Sequence, residues 1–235
     1  MNFRDFIYCA IDFSDLEQSK KFISKLQKYI GGIKIGLEFF SKNGPKGFLE
    51  IKKLGIPIFL DLKLKDIPNT VKKSAQNLID LKPDYLSIHL SGGLRMAKEV
   101  VEIKNNTKIL GISMLTSLDD SDLKSFGYNL SNLDYVENLA KIGEKAGIDG
   151  LVSSANEIPH LKKKLNNSKM LFVTPGIRFS NNEANDQKRI NSPSQAINNG
   201  SNMLIIGRSI TRSCDPINSI KIILQDIEKH YEYEN

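Results

Sequence analysis

Only two cysteines, Cys9 and Cys214, occur in 235 residues, and neither stands at metal-ligand spacing from another cysteine or a histidine. That scarcity disfavours a disulfide framework and a structural zinc site, and it predicts a reducing, cytoplasmic compartment. Long apolar runs are missing too. A membrane span needs about eighteen or more consecutive apolar residues, nothing in the chain reaches that, and the N-terminus meets Asp5 first. The expectation is a soluble, unprocessed protein with no membrane partner. Charge of one sign is not clustered: 33 Lys and Arg against 27 Asp and Glu leave +6, but the longest basic run is only Lys162-Lys163-Lys164. Without a basic arm, nucleic acid is not an expected partner, whereas a dispersed basic surface suits a phosphorylated small molecule. No Gly-x-Gly-x-x-Gly follows the first apolar segment, which weakens a dinucleotide-binding reading.

What the chain does contain is a recurring pair of periodicities. Short apolar runs rich in β-branched residues lie at 6–11, 33–36, 56–62, 85–89, 109–113, 148–152, 170–173 and 203–206. Helix-period segments fall between them, including 15–29, 69–81, 93–104, 131–146 and 216–230. Strands alternating with helices imply a parallel sheet, because each crossover must cover one of its faces. Eight such units predict an α/β fold, a closed (β/α)8 TIM barrel occupying 1–235 as a single domain.

In such a barrel the chemistry sits where strands run into helices. The polar residues at those ends are Asp12, Lys34, Asp61 with Lys63, His89, Thr116, Thr174 to Arg178, and Gly207-Arg208. Asp61 and Lys63 are two apart on a strand, so they share a face, while Leu62 and Leu64 take the other. Asp66 follows in a short loop before Pro68, a residue suited to the first turn of a helix. Alternating signs at Lys34, Asp61, Lys63 and Asp66 offset one another's burial, either as a structural rim network or as an ammonium aimed at a developing carbanion. Gly207-Arg208 lies where this architecture usually holds phosphate, with a surface arginine on a turn as the alternative. Asp12 reads equally well as a helix cap or a ligand-binding carboxylate. His89 reads as a hydrogen-bonded core residue and Cys9 as a small hydrophobe. Two long polar connections, 115–130 and 178–192, are candidate lids.

Several separated motifs together resemble the orotidine 5'-phosphate decarboxylase family in its bacterial form. They are Tyr8-Cys9-Ala10-Ile11-Asp12, Lys34-Ile35-Gly36, and Leu60-Asp61-Leu62-Lys63 with Asp66-Ile67-Pro68-Asn69-Thr70. His89-Leu90-Ser91-Gly92-Gly93, Leu115-Thr116-Ser117, Thr174-Pro175-Gly176-Ile177-Arg178, Asp186-Gln187-Lys188-Arg189 and Ile206-Gly207-Arg208-Ser209-Ile210-Thr211 extend the likeness over nearly the whole chain. The resemblance implies conversion of orotidine 5'-monophosphate to uridine 5'-monophosphate, the last step of de novo pyrimidine synthesis, with no metal and no organic cofactor. It implies that Lys63 protonates C6, that Asp61 lies beside the departing carboxylate, and that Lys34 completes the array and reaches the ribose. Asp12 is then expected on the ribose hydroxyls, Thr116 near the base, and Arg178, Gln187, Gly207 and Arg208 on the phosphate. Asp66, Ile67 and Thr70 are expected to enter a neighbouring subunit's site, making a homodimer with shared active sites.

The chain departs from the family in two places. Leu64-Lys65 replaces a common Phe-His, and Phe179 follows Arg178 where proline is common. Two rivals remain on these residues: a metal-dependent sugar-phosphate enzyme of the same barrel group, which also carries Asp-x-Lys-x-x-Asp, and a non-catalytic nucleotide-binding barrel.

Overall fold

Eight parallel strands close on one another in chain order in the computed structural model, which describes residues 2–166, 169–177 and 191–231. They are β1 (Ile7–Ile11), β2 (Gly32–Gly36), β3 (Ile58–Leu64), β4 (Tyr85–His89), β5 (Lys108–Ile112), β6 (Gly150–Val152), β7 (Leu171–Thr174) and β8 (Met203–Ile206). Each lies within a residue or two of the expected run, because a strand buried on both faces reads as a short continuous apolar segment. β1 pairs with both β2 and β8, which leaves no sheet edge.

The helices are α1 (Leu16–Leu26), α2 (Leu37–Lys52), α3 (Pro68–Ile79), α4 (Leu94–Val101), α5 (Asp120–Ser125), α6 (Asn132–Ala146), α7 (Ile158–Lys164), α8 (Pro193–Asn198), α9 (Arg208–Thr211) and α10 (Pro216–His230). Their starts follow the local chemistry. Pro68, Pro193 and Pro216 open α3, α8 and α10, while Asp15, Ser131 and Ser192 accept backbone N–H groups as caps of α1, α6 and α8. The connection 115–130 is not a bare loop: α5 forms inside it, because Asp119 and Asp122 cap it reciprocally. Among the described residues no helix is long and apolar enough to cross a membrane.

The core has two layers. Alternate strand residues such as Ile7, Cys9, Ile33, Ile35, Ile58 and Leu60 pack outward against the helices. Their neighbours, among them Tyr8, Ala10, Phe59, Leu110 and Met203, fill the barrel interior. Tyr8 and Tyr85 meet edge to face at 5.9 Å. Gly32 makes room for this packing, since a Cβ there would sit 2.2 Å from the Tyr8 ring.

A device unseen in the strand periodicity stitches the opposite end of the barrel. Asp84, immediately before β4, accepts the Ile58 N–H on its carboxylate at 2.8 Å and donates its own N–H to the Ile58 carbonyl. Asp149 does the same to Ile109 ahead of β6, and Asn202 to Phe172 ahead of β8. At the equivalent place before β2, Gly31 keeps only the backbone bond, to Ile7. A Cβ there would lie 2.6 Å from the Asp5 carbonyl oxygen. These clasps satisfy strand-end donors that would otherwise be orphaned.

Candidate active site

The carboxyl ends of the strands surround a cavity of about 340 Å³. Its charged side comes from β1 to β3. Lys34 Nζ lies 3.5 Å from Asp12 Oδ1 and 3.7 Å from Asp61 Oδ2, and Lys63 Nζ lies 2.6 Å from the same Asp61 oxygen. The side chain of Asp61 is only 7% exposed, against 14% for Lys34 and 31% for Lys63. Facing these charges is an apolar wall from Ile112, Val152 and Pro175, and Gly207, beside Asp12, and Arg208 complete the lining after β8. Low-dielectric surroundings on that side strengthen every interaction within the array.

Burial alone would push the Asp61 carboxyl up. The Lys34 and Lys63 ammonium groups, with hydrogen bonds from Lys63 and Ser87, outweigh it and hold the group below the usual carboxylate range. Asp61 is thus an anion clamped between two cations, and the four charges from Asp12 to Lys63 sum to zero.

Lys63 reaches this position by an unusual backbone. Its φ is +52°, in the left-handed region, although it lies inside β3. Pairing with β4 runs through Leu60 opposite Leu86 and resumes with Leu64 opposite Ile88, so the segment between them bulges. Leu62 and Leu64 still pack outward and Asp61 and Lys63 still face the cavity, so the alternation expected from the sequence survives the bulge. A left-handed non-glycine residue costs about 1–2 kcal/mol, and such strain concentrates at functional sites.

Of the residues given a role in the sequence, Asp12, Lys34, Asp61, Lys63, Thr116, Gly207 and Arg208 line this one cavity. Asp66, Ile67 and Thr70 do not. They are exposed, and the Asp66 carboxylate accepts the N–H of Ile67 at 2.6 Å instead of an ammonium among the described residues. Arg178 and Gln187 lie outside the described residues. Asp12 is resolved as a member of the array, since Asp15 caps α1. Pro175 and Gly176, the latter with φ +78°, also line the cavity. The expected hydrogen bond of His89 is not found at Nδ1, which is buried and unpartnered. Burial and the nearby Lys65 and Lys63 press the His89 imidazole below its usual range. Cys9 is fully buried, which raises its thiol well above the usual range. Unanticipated were Ile112 and Val152 of the apolar wall and Ser87, whose only sequence signal was their inward phase on the strands.

The family model described as Orotidine 5'-phosphate decarboxylase / HUMPS family matches residues 6–223. The chain belongs to that family. Orotidine 5'-phosphate decarboxylase of Sphingopyxis alaskensis is 43% identical to it over 211 residues, 89% of this chain and 93% of that protein. The decarboxylase of Ehrlichia chaffeensis is 40% identical over 95% of this chain and 97% of that protein. Among solved structures, the orotidine 5'-phosphate decarboxylase of Lactobacillus acidophilus superposes with a TM-score of 0.82 at 30% identity, covering 94% of this chain and 98% of that one. Family membership and the closed barrel therefore agree with each other.

Proposed function

We propose that this protein, acting as one barrel domain, decarboxylates orotidine 5'-monophosphate to uridine 5'-monophosphate and carbon dioxide, completing de novo pyrimidine synthesis in the cytoplasm. The observation that carries the proposal is the Lys34–Asp61–Lys63 array inside a cavity that Gly207, beside Asp12, and Arg208 also line. When carbon dioxide leaves C6, the electron pair of the broken bond stays on that carbon. The Lys63 ammonium stabilises the developing charge and then donates its proton to C6, after which solvent reprotonates the amine. Asp61 fixes Lys63 from one side and faces the substrate carboxylate, while Lys34 neutralises Asp61 and reaches the ribose together with Asp12. Thr116 meets the base, and Gly207 and Arg208, joined by Arg178 and Gln187, hold the phosphate. Binding energy from that remote phosphate supports closure over the reacting carbon. No metal or organic cofactor has a step in this scheme.

The working unit is a homodimer with shared sites. Ile67 is 67% exposed and Leu37 57%, large apolar side chains that follow the neighbouring strands β3 and β2, Ile67 being next to Asp66 in the chain. A subunit interface there would cover them and carry Asp66, Ile67 and Thr70 to the partner's cavity. The metal-dependent alternative needs converging acidic ligands. Among the described residues no three His, Cys, Asp or Glu side chains gather, and an ammonium, Lys34, stands between the cavity carboxylates.

The test is loss of orotidine 5'-monophosphate absorbance on adding purified protein in excess EDTA. Turnover under those conditions is expected; folded protein that leaves the substrate untouched overturns the proposal.

A further inference from the structure

Ser87, in the middle of β4, is completely buried and does not line the cavity. Its hydroxyl nevertheless makes both of its hydrogen bonds to the charged pair. Oγ accepts the backbone N–H of Lys63 at 2.9 Å and donates to Asp61 Oδ1 at 2.8 Å. The other carboxylate oxygen, Oδ2, takes the Lys63 ammonium at 2.6 Å. The result is a closed ring: Lys63 backbone to Ser87, Ser87 to Asp61, Asp61 back to the Lys63 side chain.

The ring spans the bulge. Between Leu60 and Leu64 the β3–β4 ladder is interrupted, and Lys63 sits there with φ +52°. An N–H displaced from its ladder and buried needs another acceptor, and the Ser87 oxygen supplies it. A serine needed only to fill space would have no reason to meet both members of one ion pair, and an alanine would fill nearly the same volume.

We propose that Ser87 is a positioning residue for the reaction: its hydroxyl holds the left-handed bulge that presents the Lys63 ammonium and turns Asp61 so that Oδ2 faces it. The proposal rests on the decarboxylase reading for its kinetic test, and a second readout is independent of turnover. Removing the Ser87 donor leaves Asp61 facing Lys34 from β2, Lys63 on its own strand and His89 from β4, with Asp12 of β1 beyond Lys34. A hydrogen bond to the ionised form is lost, so the Asp61 carboxyl must titrate at higher pH.

Three variants test this, each checked for folding by thermal melt. Ser87→Ala removes the hydroxyl, Ser87→Cys keeps the volume but bonds weakly, and Ser87→Thr keeps the hydroxyl. In the first two, kcat is expected to fall by roughly 10- to 100-fold while KM and the affinity for uridine 5'-monophosphate stay within about threefold. Ser87→Thr is expected to be faster than both. Carbon-13 NMR of labelled aspartate, read on the same proteins, is expected to show the Asp61 carboxyl titrating higher in Ser87→Ala than in the parent. A kcat within about twofold of the parent in both Ala and Cys variants, or an unmoved Asp61 titration, overturns the proposal. A parent that does not turn over orotidine 5'-monophosphate sinks the functional reading alone, and the NMR comparison still decides the role of Ser87.

Discussion

Replacing Gly36 by alanine separates the charged array from the fold that carries it. Gly36 ends β2 with φ −101°, a backbone that any residue adopts, so alanine introduces no strain. A Cβ there would stand 2.8 Å from Lys34 Nζ, with Asp12 Oδ1 next at 3.9 Å. Ordinary contact begins near 3.4 Å, so the ammonium must retreat by roughly 0.6 Å. Because Nζ ends a flexible side chain, the fold yields at little cost. That same atom bridges Asp12 at 3.5 Å and Asp61 at 3.7 Å, so the array does not. A misplacement near 1 Å can cost about 100-fold, so kcat/KM is expected to drop ~10-fold or more. The melting temperature should stay within about 2–4 °C, the shift that ~1 kcal/mol produces in a chain of this size. Gly147→Ala is the mirror-image control. Gly147 ends α6 in the left-handed region, with φ +79°, and does not line the cavity. Alanine there should lower stability by about 1 kcal/mol and leave kcat/KM unchanged. Both variants go through the absorbance assay and a thermal melt. Gly36→Ala retaining kcat/KM within about twofold would refute the assigned geometry of Lys34.

Lys63→Ala should abolish turnover while uridine 5'-monophosphate still binds in calorimetry; activity within about tenfold of the parent removes Lys63 as proton donor. Mixing Lys63→Ala and Asp66→Ala subunits should restore activity that neither has alone, since some mixed dimers contain one intact site; no recovery despite demonstrated exchange counts against shared sites. Acid stability should depend on Glu137, whose carboxyl is pulled down to about 2 by hydrogen bonds from Lys141 and from His160 of α7. A depressed carboxyl stabilises the fold above its unfolded value near ~4.3 and loses that contribution as pH falls toward its folded value. Glu137→Gln should therefore melt below the parent at pH 7, with the gap closing progressively below pH ~4.3; a gap of constant size down to pH 2 contradicts this.

Much of this protein was legible in the sequence because the relevant information is local. A two-residue period sets which side chains share a strand face, so Asp61 and Lys63 could be paired from spacing alone, and Pro68 marked the start of α3. The alternation of eight apolar runs with helical segments specified a parallel barrel and hence the rim on which to look.

Tertiary structure decided what depends on neighbouring strands. Position alone could not choose between a helix cap and a ligand-binding carboxylate for Asp12; Asp15 caps α1, and Lys34, one strand away, takes Asp12 for the array. Nothing local marks Lys63 as left-handed, and the acceptor of its N–H, Ser87, comes from the neighbouring strand β4. Asp84, Asp149 and Asn202 likewise look like ordinary polar residues until the preceding strand's N–H is placed beside them. The sequence by itself determined the barrel, the rim and the family. The closed barrel decided which charges meet and at what distance, since burying a carboxylate between two ammonium groups needs partners from strands that periodicity cannot bring together.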